Sequence, residues 1–122
     1  MSHDGDRRAH DLLLIAASAA HERFAVTAPA AAVADAVERI VAEGEHTDLQ
    51  IDDERQRLRF RTPQTIWVGE QEVGVTLVPM RRGCEVHVTV DVAPGPPPSA
   101  HDAEKNAVAV AQVRRQIELA TA

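Results

Sequence analysis

Four polar side chains, Glu85, His87, Thr89 and Asp91, recur at every second position in the second half of the chain. In an extended strand this spacing sets them in one column on one face, because successive side chains leave opposite faces. Such a column could offer two ligands to a metal, but tetrahedral zinc needs three or four. Cys84, the only cysteine, lies an odd number of positions from His87 and so points the other way. The column reads as a solvated, charged sheet face, with no metal and no cofactor. Cys84 itself falls in phase with Val86, Val88, Val90 and Val92. A thiol among valines is a small hydrophobe, since a nucleophilic one needs an electropositive, partly exposed setting.

A second charged set, Arg55, Arg57, Arg59 and Arg61, alternates with Leu58 and Phe60. Opposed in an antiparallel pair by Asp48, Gln50 and Asp52, these arginines predict a charge-paired outer face rather than an anion site. His46, His101 and Asp102 fall at element ends, where polar residues are ordinary, and His3 and His10 belong to the terminus. No acid, base or nucleophile is placed against an apolar pocket, so catalysis is not expected.

Composition narrows the partners. Acidic residues outnumber basic ones for a net charge of −6, which repels a phosphate backbone, and aromatics are only 2 % of the chain. Nucleic acid is therefore an unpromising partner. Lys105 is the only lysine, and the arginine excess together with abundant Ala and Val resembles coding bias rather than a binding device. Arg7 and Arg8 precede the apolar run at 12–20, but Asp4, Asp6 and Asp11 make it a poor export signal. No stretch approaches the roughly 20 apolar residues that cross a bilayer. The expectation is a soluble, cytoplasmic protein without membrane contact.

The elements follow from periodicity. Residues 8–20 predict a short helix striped by Leu12, Ile15, Ala16 and Ala19, forming with the tail an N-terminal appendage (1–20) to a single α+β domain (21–122). A strand at 21–27 leads through Pro29, suited to a first helical position, into a helix with Val33, Val37, Ile40 and Val41 inward and Gly44 as its cap. Strands follow at 46–52 (Leu49 and Ile51 inward), from 55 onward (Leu58 and Phe60 inward), at 72–78 (Val73, Val75 and Leu77 inward) and at 84–92. The third and fourth strands can be joined in two ways. A two-residue turn centred on Gly69-Glu70 is preferred and sets Ile66 opposite Val73 with Thr62 and Gln64 inward; a turn at 62–65 instead sends Gly69 and Gln71 inward. Either way one glutamine faces an apolar surface. The Pro-Gly segment at 93–98 delivers the chain to a final helix at 99–120, opened by a capping box of Ser99 and Asp102 and striped by Ala103, Ala107, Val110, Val113, Ile117 and Ala120. The fold class is thus α+β: an antiparallel meander in the order β-α-β-β-β-β-α, with helices on one face and a long C-terminal helix.

That order, and the opening Phe24-Ala25-Val26-Thr27-Ala28-Pro29 leading to Val33, resembles the helix-grip fold of the Bet v 1 and polyketide-cyclase-like (SRPBCC-type) superfamily over residues 23–121. The resemblance implies a ligand cavity between sheet and final helix. Longer members carry a second helix and an extra strand pair that this chain lacks, so a smaller cavity is implied, and no catalytic residues carry over. Candidate lining residues are Phe60, Gln64, Trp67, Gln71, Val75, Val88 and Val113. The competing expectation is that side chains fill this space and the glutamine pairs with backbone. Two functions remain open: a small protein binding an apolar ligand under the last helix, and a ligand-free interaction or homodimerisation module using the N-terminal helix or the exposed sheet face.

Overall fold

The computed structural model describes residues 19–64, 69–92 and 102–122. Strand β1 (Ala20–Val26) leads to helix α1 (Ala30–Glu43), then to β2 (Thr47–Ile51), β3 (Arg57–Arg61), β4 (Gln71–Pro79) and β5 (Cys84–Val92), and finally to helix α2 (Asp102–Ala120). The five strands form one antiparallel sheet in the order β1-β5-β4-β3-β2, so the first strand closes against the last. Ala20 opens β1; the remainder of the helix expected at 8–20 lies outside the described residues, save Ala19.

Period-two alternation is what makes the sheet one-sided. Val73, Val75 and Leu77 of β4 and Val86, Val88 and Val90 of β5 are almost fully enclosed, while Thr76 and Thr89 between them face outward. Both helices cover the dry side. Helix α1 lays Val33, Val37 and Val41 along one stripe, with Ala34 beside it where a larger side chain would hold the helix off the sheet. Pro29 precedes it with φ −69°, and its carbonyl accepts from the N–H groups of Ala32 and Val33, a start that uses proline's fixed φ and missing donor.

The end of α1 differs from the sequence reading in which residue turns the chain. Gly44 has φ −87°, and the left-handed position is Glu45, with φ 56°. The His46 N–H then bonds back to the Val41 carbonyl at 3.0 Å, the six-residue closure of a Schellman end. Gly44 makes room for the imidazole that follows: a Cβ there would sit 2.5 Å from His46 Nε2 and displace the ring. Gly83, by contrast, does supply a positive φ, at 99°, in the turn between β4 and β5.

Three further expectations are corrected. First, Val73 pairs with Phe60, not Ile66, and Arg61 is the last residue of β3. The Thr62 N–H donates to the Gln71 carbonyl while the Gln71 N–H donates to Thr62 Oγ1, so the ladder closes there and neither two-residue turn forms. Proline at 63 cannot extend the ladder, and Gln64 is exposed. Second, Arg55 leaves the arginine row. It occupies a turn with φ 57° and reaches α1, where its guanidinium meets Asp35 and Glu38 at 2.7 Å each. Third, the stripe of α2 is rotated: Ala103, Ala107 and Ala120 are exposed, and Asn106 is buried in line with Val110, Val113 and Ile117. The capping box at Ser99 lies outside the described residues.

The outer face carries paired charge as expected. Arg59 bonds Glu72 of the neighbouring strand, Arg61 approaches Asp48, and His87 Nε2 lies 2.7 Å from Glu85. His21 stacks beside His87 with ring centroids 5.7 Å apart. Among the described residues no group of His, Cys, Asp or Glu is arranged to hold a metal ion, and no helix is long and apolar enough to cross a membrane.

Candidate functional site

The dry layer is not closed everywhere. Helix α2 packs on β5 and β1 and holds to β1 through Arg114, whose guanidinium bonds Glu22 at 3.1 Å and lies over the Phe24 ring. This arrangement leaves space on the other flank of α2, above the end of the sheet where β3 stops and β4 begins. A cleft of about 530 Å³ lies there. Its walls are His46, Thr62, Pro63 and Gln71 on one side and Glu104, Lys105, Val108, Ala109, Gln112, Val113 and Gln116 of α2 on the other. Val108 is 59 % exposed at its mouth.

A polar pair forms part of the wall. Gln71, 7 % exposed, donates from Nε2 to Oδ1 of Asn106, 1 % exposed, at 2.9 Å. Two amides that would each be costly alone in this layer satisfy one another, and the bond ties α2 to the first residue of β4. The glutamine's side chain thus pairs with a side chain, not with backbone.

His46 stands next to this pair along the cleft. The Schellman closure fixes its backbone, and its ring packs against Phe60 with centroids 5.0 Å apart. Burial lowers its pKa from the ordinary histidine value, so the imidazole is neutral near pH 7. Its Nδ1 is shut off from solvent and has no hydrogen-bond partner among the described residues. Burial likewise raises the pKa of Cys84, which keeps that thiol protonated and inert.

The seven candidate residues separate. Gln71 and Val113 line the cleft. Phe60, 1 % exposed, stands behind it as the support of His46. Val75 and Val88 are sealed in the core away from the opening, Gln64 faces solvent, and Trp67 lies outside the described residues. Sequence reasoning missed His46, Thr62 and Asn106. Asn106 carried a signal, because it continues the spacing of Val110, Val113 and Ile117 by one turn; His46 carried none beyond its place after a helix.

No family model matches the chain, and no curated protein does. Solved structures do. DynU16, a protein of the dynemicin biosynthetic locus, aligns over 82 % of this chain and 46 % of its own with 23 % identity and a TM-score of 0.53. This chain has the helix-grip fold. It spans about half the length of DynU16. Two further helix-grip structures match more distantly. The Zhui aromatase/cyclase from Streptomyces sp. R1128 shares 12 % identity over 84 % of this chain and 87 % of its own, with a TM-score of 0.49. Ara h 8.0201 shares 13 % over 84 % and 93 %, also with a TM-score of 0.49.

Proposed function

We propose that this helix-grip chain is a non-catalytic binding protein that holds a small, mainly apolar molecule in the cleft between the end of the sheet and α2. The observation that carries the reading is the cleft itself: its volume falls within the range of small-molecule sites, and an apolar strip of Val108, Ala109 and Val113 faces a few fixed polar groups. That combination buries hydrocarbon and orients it. A catalytic role draws less support, since among the described residues His46 has no carboxylate or hydroxyl partner of the kind that orients a general base.

The test is native mass spectrometry of the freshly purified 122-residue chain beside its Ala109→Trp variant. Ala109 is half-buried on the cleft wall, so an indole there fills the space without displacing the enclosed core. The expected result is an adduct of reproducible mass on the wild type, released on denaturation and missing from the variant. An adduct of equal occupancy on both proteins would move the ligand elsewhere, and a bare wild-type spectrum after incubation with apolar probes would end the proposal.

A further inference from the structure

A buried polar atom without a partner costs free energy, so each one in a folded protein asks what it is kept for. Among the described residues one side-chain atom stands in that position, His46 Nδ1, and its residue lines the cleft. The ring is held on two sides. Its Cδ2–Nε2 edge lies against the backbone of Gly44, where a Cβ would be 2.5 Å from Nε2, and it packs on Phe60. The opposite edge, which carries Nδ1, is turned away from Gly44.

The other polar groups of the site share one property. Thr62, Gln71, Gln112 and Gln116 are uncharged hydrogen-bonding side chains, and the two charged residues, Glu104 and Lys105, are adjacent and opposite in sign. The cleft therefore has no net electrostatic preference for an anion or a cation. A carboxylate or ammonium entering it would lose hydration and meet its counter-charge, Lys105 or Glu104, only beside a charge of its own sign.

From these observations we infer that His46 is the specificity-determining residue of the cleft, pairing through Nδ1 with a hydroxyl on an uncharged, otherwise apolar ligand. This deepens the binding reading and rests on it. The residue lines the cleft while Nδ1 itself is covered, so the pairing requires the ring to turn until Nδ1 meets the cleft, where the ligand hydroxyl takes the place of the missing partner. Because the imidazole is neutral, Nδ1 accepts the hydroxyl proton in the tautomer that carries its hydrogen on Nε2. The discrimination follows from the same asymmetry that governs polar sites generally: a hydrocarbon of equal size leaves Nδ1 unsatisfied, and the hydroxylated analogue does not.

The experiment compares naphthalene, 2-naphthol and 2-naphthoate by equilibrium titration against the 122-residue chain and two variants. His46→Phe keeps a ring against Phe60 and removes the nitrogen; His46→Asn keeps a hydrogen-bonding atom near the position of Nδ1 and removes the ring. On the wild type 2-naphthol is expected to bind roughly tenfold tighter than naphthalene, the size of one good neutral hydrogen bond, with 2-naphthoate no tighter than naphthalene. The naphthol preference should vanish in His46→Phe and persist in His46→Asn, a split that a purely structural role for the ring would not produce. Equal affinity of naphthol and naphthalene on the wild type, or a preference that survives in His46→Phe, overturns the inference and leaves the binding reading standing. Failure of all three probes to bind overturns both.

Discussion

The two flanks of the layer between sheet and helices are built on opposite principles. Under α1, the inward residues of β3 and β4, Leu58, Val73, Val75 and Leu77, are at most 2 % exposed and meet Val33 and Val37 without a polar group among them. Beside α2, at the far end of β4, the same strand presents Gln71 to Asn106 and then opens into the cleft. The closed flank gains from every methyl it hides. The open flank holds an amide pair, a histidine whose Nδ1 has no partner among the described residues, and an exposed valine. Apolar packing in this protein makes the fold, and its interruption opens the cleft.

The contrast can be broken most severely from the closed side. Leu58→Ala should cost about 2–5 kcal/mol, the range for truncating a fully enclosed leucine, as read by chemical denaturation; because Leu58 does not touch the cleft, probe affinity in the protein that remains folded should be unchanged. On the open side the expected loss is smaller. Gln71→Leu should cost about 1–3 kcal/mol, since the Asn106 carbonyl loses its donor in a dry layer, and the Gln71→Leu/Asn106→Leu double variant should recover part of it. A double variant as unstable as the sum of the singles would mean that the pair is not the unit it looks like.

Glu45→Gly should raise stability by about 1 kcal/mol by relieving a left-handed backbone that only glycine adopts freely. The same denaturation measurement reports it, and a loss of stability would refute the Schellman account of how His46 is placed.

The pH dependence sharpens the comparison further. A histidine whose folded pKa is lowered binds its proton more readily in the unfolded chain, so the stability it contributes is present above the unfolded pKa of about 6.5 and is lost as pH falls through that value toward the folded one. The wild type should therefore lose stability over that window relative to His46→Phe, and parallel pH profiles would show that burial of this ring is not what the open flank is built on.

How much of this was legible in the sequence follows from the same division. The closed flank is written in local periodicity: Val73-Val75-Leu77 and Val86-Val88-Val90 announce their strands and faces without reference to any other part of the chain. The order of elements and the resemblance to the helix-grip fold were readable for that reason. The open flank is assembled from the ends of elements. His46 closes a helix, Thr62 and Gln71 terminate a ladder, and Asn106 sits one turn into α2, so their meeting depends on strand register and helix rotation. β3 ends at Arg61, short of Gln64, which leaves that side chain exposed, while Gln71 shares the inward phase of Val73. The helix stripe slipped for a related reason. An asparagine reads as a surface residue until its partner is known, and Ala103 and Ala107 offer a competing apolar face at helical spacing.

The central claim, that the open flank is a binding site and the closed flank is not, is tested most directly by amide and side-chain chemical-shift mapping of the isotope-labelled protein titrated with 2-naphthol. The account predicts saturable shifts at His46, the Gln71 side-chain amide, Val108, Ala109 and Val113, with Leu58, Val75 and Val88 unmoved. Shifts confined to the outer sheet face around Arg59, Glu72 and His87, or spread evenly over the core valines, would contradict it.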